Sequence, residues 1–279
     1  MTTARGGVGS RIGLPVLLGV ILLWTVVPLA WMVLSSFKPP EDLTSSSPTL
    51  AFEPTLEHYD ALFSGGNNIG PYIRNSLLAA GISTIIAVVL GCLAGYGLAR
   101  SRFRGKDHVA FWIISQRMAP IAAVVLPLFV IFRFTGLLGS TWGLIVAYLT
   151  FNLPFAIWIM NAFFAELPKS LEEAAMVDGA SRWTSFTRIA LPLALPGIAT
   201  TAILCLVFSW NDYAFASTFS GPDSQTLPIA ASQLVTQTEV DWGQLTAIGT
   251  IVVAPMIVVG LVVRKWLVTG LTLGAVTGE

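Results

Sequence analysis

Long stretches almost free of charge constrain this chain more than any other feature. Residues 14–36, 75–99, 109–132, 141–164, 191–219 and 245–263 are dominated by apolar side chains. About 20 such residues, at a rise of ~1.5 Å each, make a helix long enough to cross a bilayer. In hydrocarbon the backbone must satisfy its own hydrogen bonds, so runs of this kind are helical. Composition agrees: 54% of the residues are hydrophobic and 11% charged, where soluble domains carry about 25% charged. The sequence therefore predicts an all-α polytopic membrane protein with six transmembrane helices.

Lys and Arg set the orientation. With the N-terminus in the cytoplasm, the inner segments hold Arg5, Arg11, Arg100, Arg102, Arg104, Lys106, Lys169, Arg182, Arg188, Arg264 and Lys265, eleven of the fifteen basic residues. Lys38 and Arg74 fall in outer loops, Arg133 at an outer helix end, and Arg117 inside a helix. An even number of spans returns the C-terminus to the cytoplasm. The expected organisation is a cytoplasmic N-terminus (1–13), a first transmembrane helix (14–36), an extracytoplasmic loop (37–73), a membrane domain (74–268) with helices two to six, and a cytoplasmic tail (269–279). The long outer loops, 37–73 and 220–244, read as irregular. The first apolar run, about 23 residues, exceeds the 7–15 of a signal-peptide core, and no small-residue cleavage site follows it, so no cleaved leader is expected.

Several functions are disfavoured. Fifteen basic residues balance fifteen acidic ones, so there is no basic excess to attract nucleic acid. His58 and His108 are far apart and lack metal-ligand spacing. Cys92 and Cys205 lie inside apolar runs and read as small buried hydrophobes. No catalytic triad or metal constellation is evident. Phosphate binding by a P-loop needs two glycines four residues apart, then Lys and a hydroxyl residue. The only Gly-Lys pair is Gly105-Lys106, with Arg100 in place of the first glycine and Asp107 in place of the hydroxyl.

Residues 165–190 break the apolar pattern and form the largest cytoplasmic loop of this topology. The first half reads as a helix. Pro168 precedes it, Ser170 with Glu173 three residues on suggests a capping box, and Glu172 and Glu173 suit the positive end of the helix dipole. Gly179 is placed to end it. Helical spacing resumes over 181–189, with Trp183 and Phe186 on one side, and Pro192 can occupy the first turn of the next membrane helix. A helix this short is marginal alone in water and needs a partner surface. That surface is either the protein's own helices or another polypeptide.

The spacing Glu173-Ala174-Ala175, three residues, Gly179, nine residues, Ile189, one residue, Leu191-Pro192 resembles the EAA signature of membrane subunits of ATP-binding-cassette importers. Trp210-Asn211-Asp212-Tyr213 and the ending GLTLGAVTGE are similar to the carbohydrate subfamily, in particular its maltose-type second permease subunit. The resemblance implies a type I importer permease fold in a prokaryotic cell membrane. It implies a sister permease, two ATPase subunits, an extracytoplasmic solute-binding protein and a carbohydrate substrate. ATP and Mg would be used by the ATPase partner, with no cofactor held by this chain. The EAA loop would be a coupling helix docked on the ATPase. Glu173 would make the charged contact, Ala174 and Ala175 would permit the close fit, and Asp178, Gly179, Ile189, Leu191 and Pro192 complete the motif. The loop 220–244 corresponds in position to one that meets the binding protein, and the tail to one that reaches the ATPase.

Polar residues inside a membrane are costly and are often functional. Arg117, beside Pro120, either lines the translocation path or pairs with Asp212 as a structural bridge. Trp210, Asn211, Asp212 and Tyr213 have the chemistry to bind sugar, by amide and carboxylate hydrogen bonds and a flat aromatic face, or serve helix packing. Asn152 offers a path contact or an interhelical hydrogen bond. Tyr96 reads as an aromatic at the membrane interface. Two other readings stand beside the carbohydrate importer: the same machine carrying a polyol or glycerol phosphate, and a secondary transporter that works without ATP.

Overall fold

The computed structural model describes residues 8–45, 47, 49–64, 68–236 and 240–273, with side chains from 13 to 262. Every regular element among them is a helix, and the only strand-like pairings are the isolated bridges Gly139–Ser220 and Val235–Val240. In chain order the helices are α1 (Val8–Ser35), α2 (Pro40–Leu43), α3 (Glu57–Ser64), α4 (Gly70–Arg100), α5 (Lys106–Ser115), α6 (Ile121–Thr135), α7 (Thr141–Glu166), α8 (Lys169–Val177), α9 (Arg182–Ser185), α10 (Leu191–Leu193), α11 (Leu195–Trp210), α12 (Ala214–Phe219), α13 (Leu227–Gln233) and α14 (Trp242–Leu273). A 3₁₀ turn, Gln116–Met118, follows α5, and a π-turn, Phe186–Ala190, follows α9.

Among the described residues four helices are long and apolar enough to cross a membrane: Gly13–Ser35, Gly70–Arg100, Thr141–Glu166 and Trp242–Val262. Two bent pairs raise the number to six if each is one span. These pairs fall on the expected third and fifth spans, 109–132 and 191–219, which are bent. Between Lys106–Met118 and Ile121–Thr135 the axis turns by 89°. Pro120 is the cause: it disfavours the helical region for the residue before it, and Ala119 is extended at φ −62°, ψ 133°. Between Arg182–Leu193 and Leu195–Trp210 the turn is 73°. There Pro192 and Pro196 each remove a backbone donor, and Ala194 leaves helical geometry at φ −85°, ψ 2°. The expected fifth span, 191–219, is also broken at its outer end, where α11 stops at Trp210 and α12 begins at Ala214.

The chain divides into two compact units, Met1–Asn68 with Gln233–Ala254, and Ile69–Ser232 with Pro255–Glu279. The second holds the residues of interest. Its centre is the pairing of α4 with α7. On α4 a small residue recurs every fourth position, Ala79, Ser83, Ala87, Gly91, Gly95 and Ala99, and all are buried. On α7 the matching stripe is Leu144, Tyr148, Asn152, Ala156, Met160 and Phe164, also buried. Small residues let helix backbones approach closely in a membrane, where packing replaces the hydrophobic effect. The fit is tight: a Cβ on Gly91 would lie 2.7 Å from Ala156 Cβ, and one on Gly95 2.7 Å from the Asn161 amide nitrogen. Buried Ser209 Oγ of α11 joins the pair, accepting from Asn152 Nδ2 at 2.7 Å and lying 3.3 Å from Ser83 Oγ. Cys92 and Cys205 are free and buried.

In the first unit α1 is exposed along its apolar length, with Trp24 83% accessible. Near its end Lys38 is buried, its ammonium 4.1 Å from the Trp31 ring centre. His58 is buried with Nε2 2.8 Å from the Lys38 carbonyl oxygen.

The described parts of the two long loops, 37–73 and 220–244, hold more helix than the sequence suggested. Residues 37–73 contain α2 and α3 and the start of α4. Residues 220–244 contain α13 and the start of α14. Asn75 Nδ2 donates to the carbonyls of Asp223 (2.9 Å) and Gln225 (3.0 Å), and Ser76 Oγ accepts from the Leu227 amide at 2.8 Å. These bonds tie 223–227 to the first turns of α4. Residues 274–279 of the tail lie outside the described residues.

Candidate functional site

The sequence between α7 and α11 folds as a helix, a glycine turn and a second helix. Helix α8 starts at Lys169 behind Pro168, so Ser170 lies within the first turn and makes no cap. The expected capping box is absent because proline takes the capping position. The C-terminal end is as the sequence suggests. Gly179 adopts φ +91°, the left-handed conformation that only glycine reaches at little cost. The Ala180 amide then donates to the Ala175 carbonyl at 2.9 Å and the Gly179 amide to that of Met176 at 3.2 Å, the paired bonds of a Schellman turn. Ser181 opens α9 by accepting from the Thr184 amide at 3.1 Å.

The faces of α8 differ sharply. Glu173, Ala174, Val177, Asp178 and Gly179 are exposed, Val177 by 87%, and Ala175 is half-buried. Glu172, one residue before the motif, is 5% exposed. Its Oε1 accepts from Arg100 Nε (2.8 Å) and Nη2 (2.6 Å), and its Oε2 from the Tyr96 hydroxyl (2.6 Å). Arg100 also donates to the carbonyls of Phe164 (2.7 Å) and Leu167 (3.3 Å), at the end of α7. One guanidinium thus satisfies a buried carboxylate and the orphan carbonyls of a helix terminus. The last turn of α4 is thereby fixed to the α7–α8 junction. A cavity of about 370 Å³ opens beside this clamp, lined in part by Arg102, Lys169, Glu173 and Arg182.

Aromatic residues continue the attachment. Tyr96 lies 5.4 Å from Phe164 and 4.6 Å from Phe186 between ring centres, and Trp183 lies 5.5 Å from Phe186. The π-turn carries Ile189, half-buried, into Leu191 and exposed Pro192. The Leu191 amide donates to the Phe186 carbonyl, five residues back. Pro192 has no N–H to offer the Arg188 carbonyl, and a widened turn beside it relieves the ladder.

A second cavity, also about 370 Å³, lies beside the break between α5 and α6 and the break between α11 and α12. Its wall includes Gln116, Arg117 and Ala119 from the first of these, Thr150 and Phe151 from α7, and Phe208, Asp212 and Phe215 around the second. Arg117 makes no bridge to Asp212; among the described residues the only ion pair is Arg100–Glu172. The Arg117 guanidinium instead sits 4.2 Å from the Phe155 ring centre and 4.1 Å from that of Phe208, and its buried Nη1 has no hydrogen-bond partner. Asp212 Oδ1 accepts from the amides of Phe215 and Ala216, both at 3.1 Å, and so caps α12. Asn211 and Tyr213 are exposed, Trp210 is buried, and Asn211 Nδ2 donates to the Val207 carbonyl at 2.8 Å. Asn152 lies away from the cavity wall, fully buried between helices, with a further bond to the Cys205 carbonyl at 3.3 Å. Sequence reasoning missed Glu172 and Arg100 as a pair. The available signal was an acidic residue beside the motif and a basic residue ending an uncharged run.

A family described as the inner membrane component of binding-protein-dependent transport systems matches residues 87–272. This chain belongs to that family. The inner membrane ABC transporter permease protein YcjP of Escherichia coli (strain K12) is 34% identical, covering 96% of this chain and 97% of that one. The trehalose/maltose transport system permease protein MalG of Thermococcus litoralis is 33% identical over 95% of each chain. The trehalose transport system permease protein SugB of Mycobacterium tuberculosis is 36% identical over 91% of this chain and 93% of its own. Among solved structures, a bacterial ABC transporter involved in import of the acidic polysaccharide alginate superposes with a TM-score of 0.75, at 23% identity, over 95% of this chain and 99% of the matched one. At that identity the likeness shows the fold. The chain is thus an all-helical membrane component of an ABC importer.

Proposed function

We propose that this chain is one of two permease subunits of an ATP-driven carbohydrate importer in a prokaryotic cell membrane, and that α8 couples it to a separate ATPase. The observation that carries the coupling is the two-sided character of α8. Glu172 anchors it inward to Arg100 and Tyr96, while Glu173, Ala174 and Val177 are exposed among the described residues. A short helix held rigidly at one face and bare at the other suits docking into a partner. A rigid body moved there would carry α4, α7 and α11 with it. The carbohydrate class is supported by the similarity to trehalose and maltose permeases. An ATP-independent carrier gives no reason for the EAA spacing.

In this reading the two bent pairs each count as one span. Six spans then place both termini in the cytoplasm, with 14–36 the first helix, 37–73 outside, 74–268 the membrane domain and 269–279 an inner tail. The partners are a sister permease, two ATPase subunits that use ATP and Mg, and an extracytoplasmic solute-binding protein. Arg117 and Asp212 would lie along the path for the sugar, with Trp210, Asn211 and Tyr213 near it, and Asn152 would hold the helices around it.

Purification of the tagged chain from its native membrane in mild detergent tests this directly. The expected companions are a P-loop ATPase and a second six-span permease. Sugar uptake into liposomes should require ATP. A chain that purifies alone and transports without ATP would overturn the proposal.

A further inference from the structure

The cavity between the broken helices has a chemistry the family match does not assign. It sits where two backbones stop being helical: at Ala119–Pro120 between α5 and α6, and at Asn211–Tyr213 between α11 and α12. Irregular backbone at membrane depth is tolerated where it lines protein or a water-filled space. Two such breaks meet one cavity of about 370 Å³, within the roughly 300–1,000 Å³ typical of small-molecule sites, which are mostly apolar with a few placed polar groups.

Its charges are set apart from each other. Arg117 sits over two phenylalanine rings that pack edge-to-face with each other and makes no ion pair with Asp212. Asp212 uses Oδ1 on backbone amides and is itself part of the cavity wall. One cation and one anion therefore line the same space without neutralising each other directly. Phe151 and Phe215, 5.5 Å apart at 35°, with Phe208 beside Arg117, supply flat apolar faces. An anionic ligand could pair with Arg117 only at the cost of lying beside the Asp212 carboxylate, and a cationic ligand with Asp212 only beside Arg117, so a charge on the ligand gains little net attraction. A neutral polyhydroxylated ring satisfies both, donating a hydroxyl to Asp212, accepting from Arg117 and laying its C–H face on the rings.

We infer that this cavity is a sugar subsite within this subunit, selective for neutral mono- or disaccharides over sugar acids. The inference rests on the proposed carbohydrate-import reading and adds that this chain itself holds the sugar in transit.

Cysteine protection tests it in the complete importer, reconstituted in liposomes with its binding protein and ATP. Thr150→Cys places a thiol on the cavity wall, and Ala119→Cys provides a second one if the first assembles poorly. The native Cys92 and Cys205 are buried, so the unsubstituted transporter gives the background. A panel of neutral mono- and disaccharides, including maltose and trehalose, is first screened for uptake. The accumulated sugar is then tested for protection against a methanethiosulfonate reagent, alongside a uronic acid disaccharide. The expected result is a thiol that reacts during turnover and is slowed about tenfold by the transported sugar but not by the acid. A thiol that never reacts, or one that reacts equally with and without the sugar while uptake proceeds, would overturn the subsite and leave the importer reading intact. Equal protection by the acid would overturn the selectivity. Vesicles that accumulate no panel sugar would overturn both.

Discussion

The clamp between α4 and α8 can be weighed by a double-mutant cycle. Arg100 and Glu172 have side chains 10% and 7% exposed and meet at 2.6 Å. Removing one partner of a buried pair leaves an uncompensated charge and costs about 3–5 kcal/mol, while replacing both by apolar residues is often close to neutral. Arg100→Met also strips the donors from the Phe164 and Leu167 carbonyls, so it belongs toward the upper end of that range. Glu172→Leu leaves Arg100 those two acceptors and belongs toward the lower end. The double variant should lose less than the sum of the singles, with a coupling at or above the upper end of the roughly 0.5–3 kcal/mol seen for residues in direct contact, because each single variant strands a buried charge or its partners. Unfolding in mixed detergent micelles, followed by circular dichroism, measures all four corners. Losses that add within about 0.5 kcal/mol would mean the two residues do not act on each other, and the clamp argument would be refuted.

Three other expectations follow from the geometry. Glu173→Lys should abolish uptake while insertion and yield stay normal, because the residue is exposed and touches nothing that folds the chain; normal uptake would count against docking through α8. Gly179→Ala meets no atom within 4 Å, so its cost is the left-handed backbone alone, about 1–2 kcal/mol, read as a lowered melting temperature. Gly95→Val, whose added atoms would enter the α7 backbone, should prevent stable folding, seen as lost detergent-soluble monodisperse protein, whereas Gly97→Val, in open space, should not.

The apolar runs, their approximate ends and the helix–glycine–helix between α7 and α11 were legible because each rests on local chemistry: length, proline, glycine at φ +91°. Pro120 was legible as a kink, although not the 89° turn it allows, since proline permits a bend and packing sets its size. Glu172 was hidden beside Glu173. Adjacent residues on a helix point about 100° apart, and only tertiary packing decides which of two glutamates turns inward. Ser170 misled for a related reason, since Pro168 ended the preceding chain two residues earlier and helped itself to the cap. The fourfold stripe of small residues on α4 was present in the sequence as a packing signal. Its partner stripe on α7, with Tyr148, Met160 and Phe164 among small residues, carries no such signature, so the pairing itself came from the structure.

The central claim is that the outward face of α8 meets an ATPase. A photo-crosslinking amino acid in place of Val177, 87% exposed at the end of that helix, measures this in native membranes. The account predicts an adduct to a polypeptide with a P-loop, with a yield that changes when ATP is supplied. A membrane that imports sugar with ATP yet gives no adduct from that position, or one only to lipid, would contradict it.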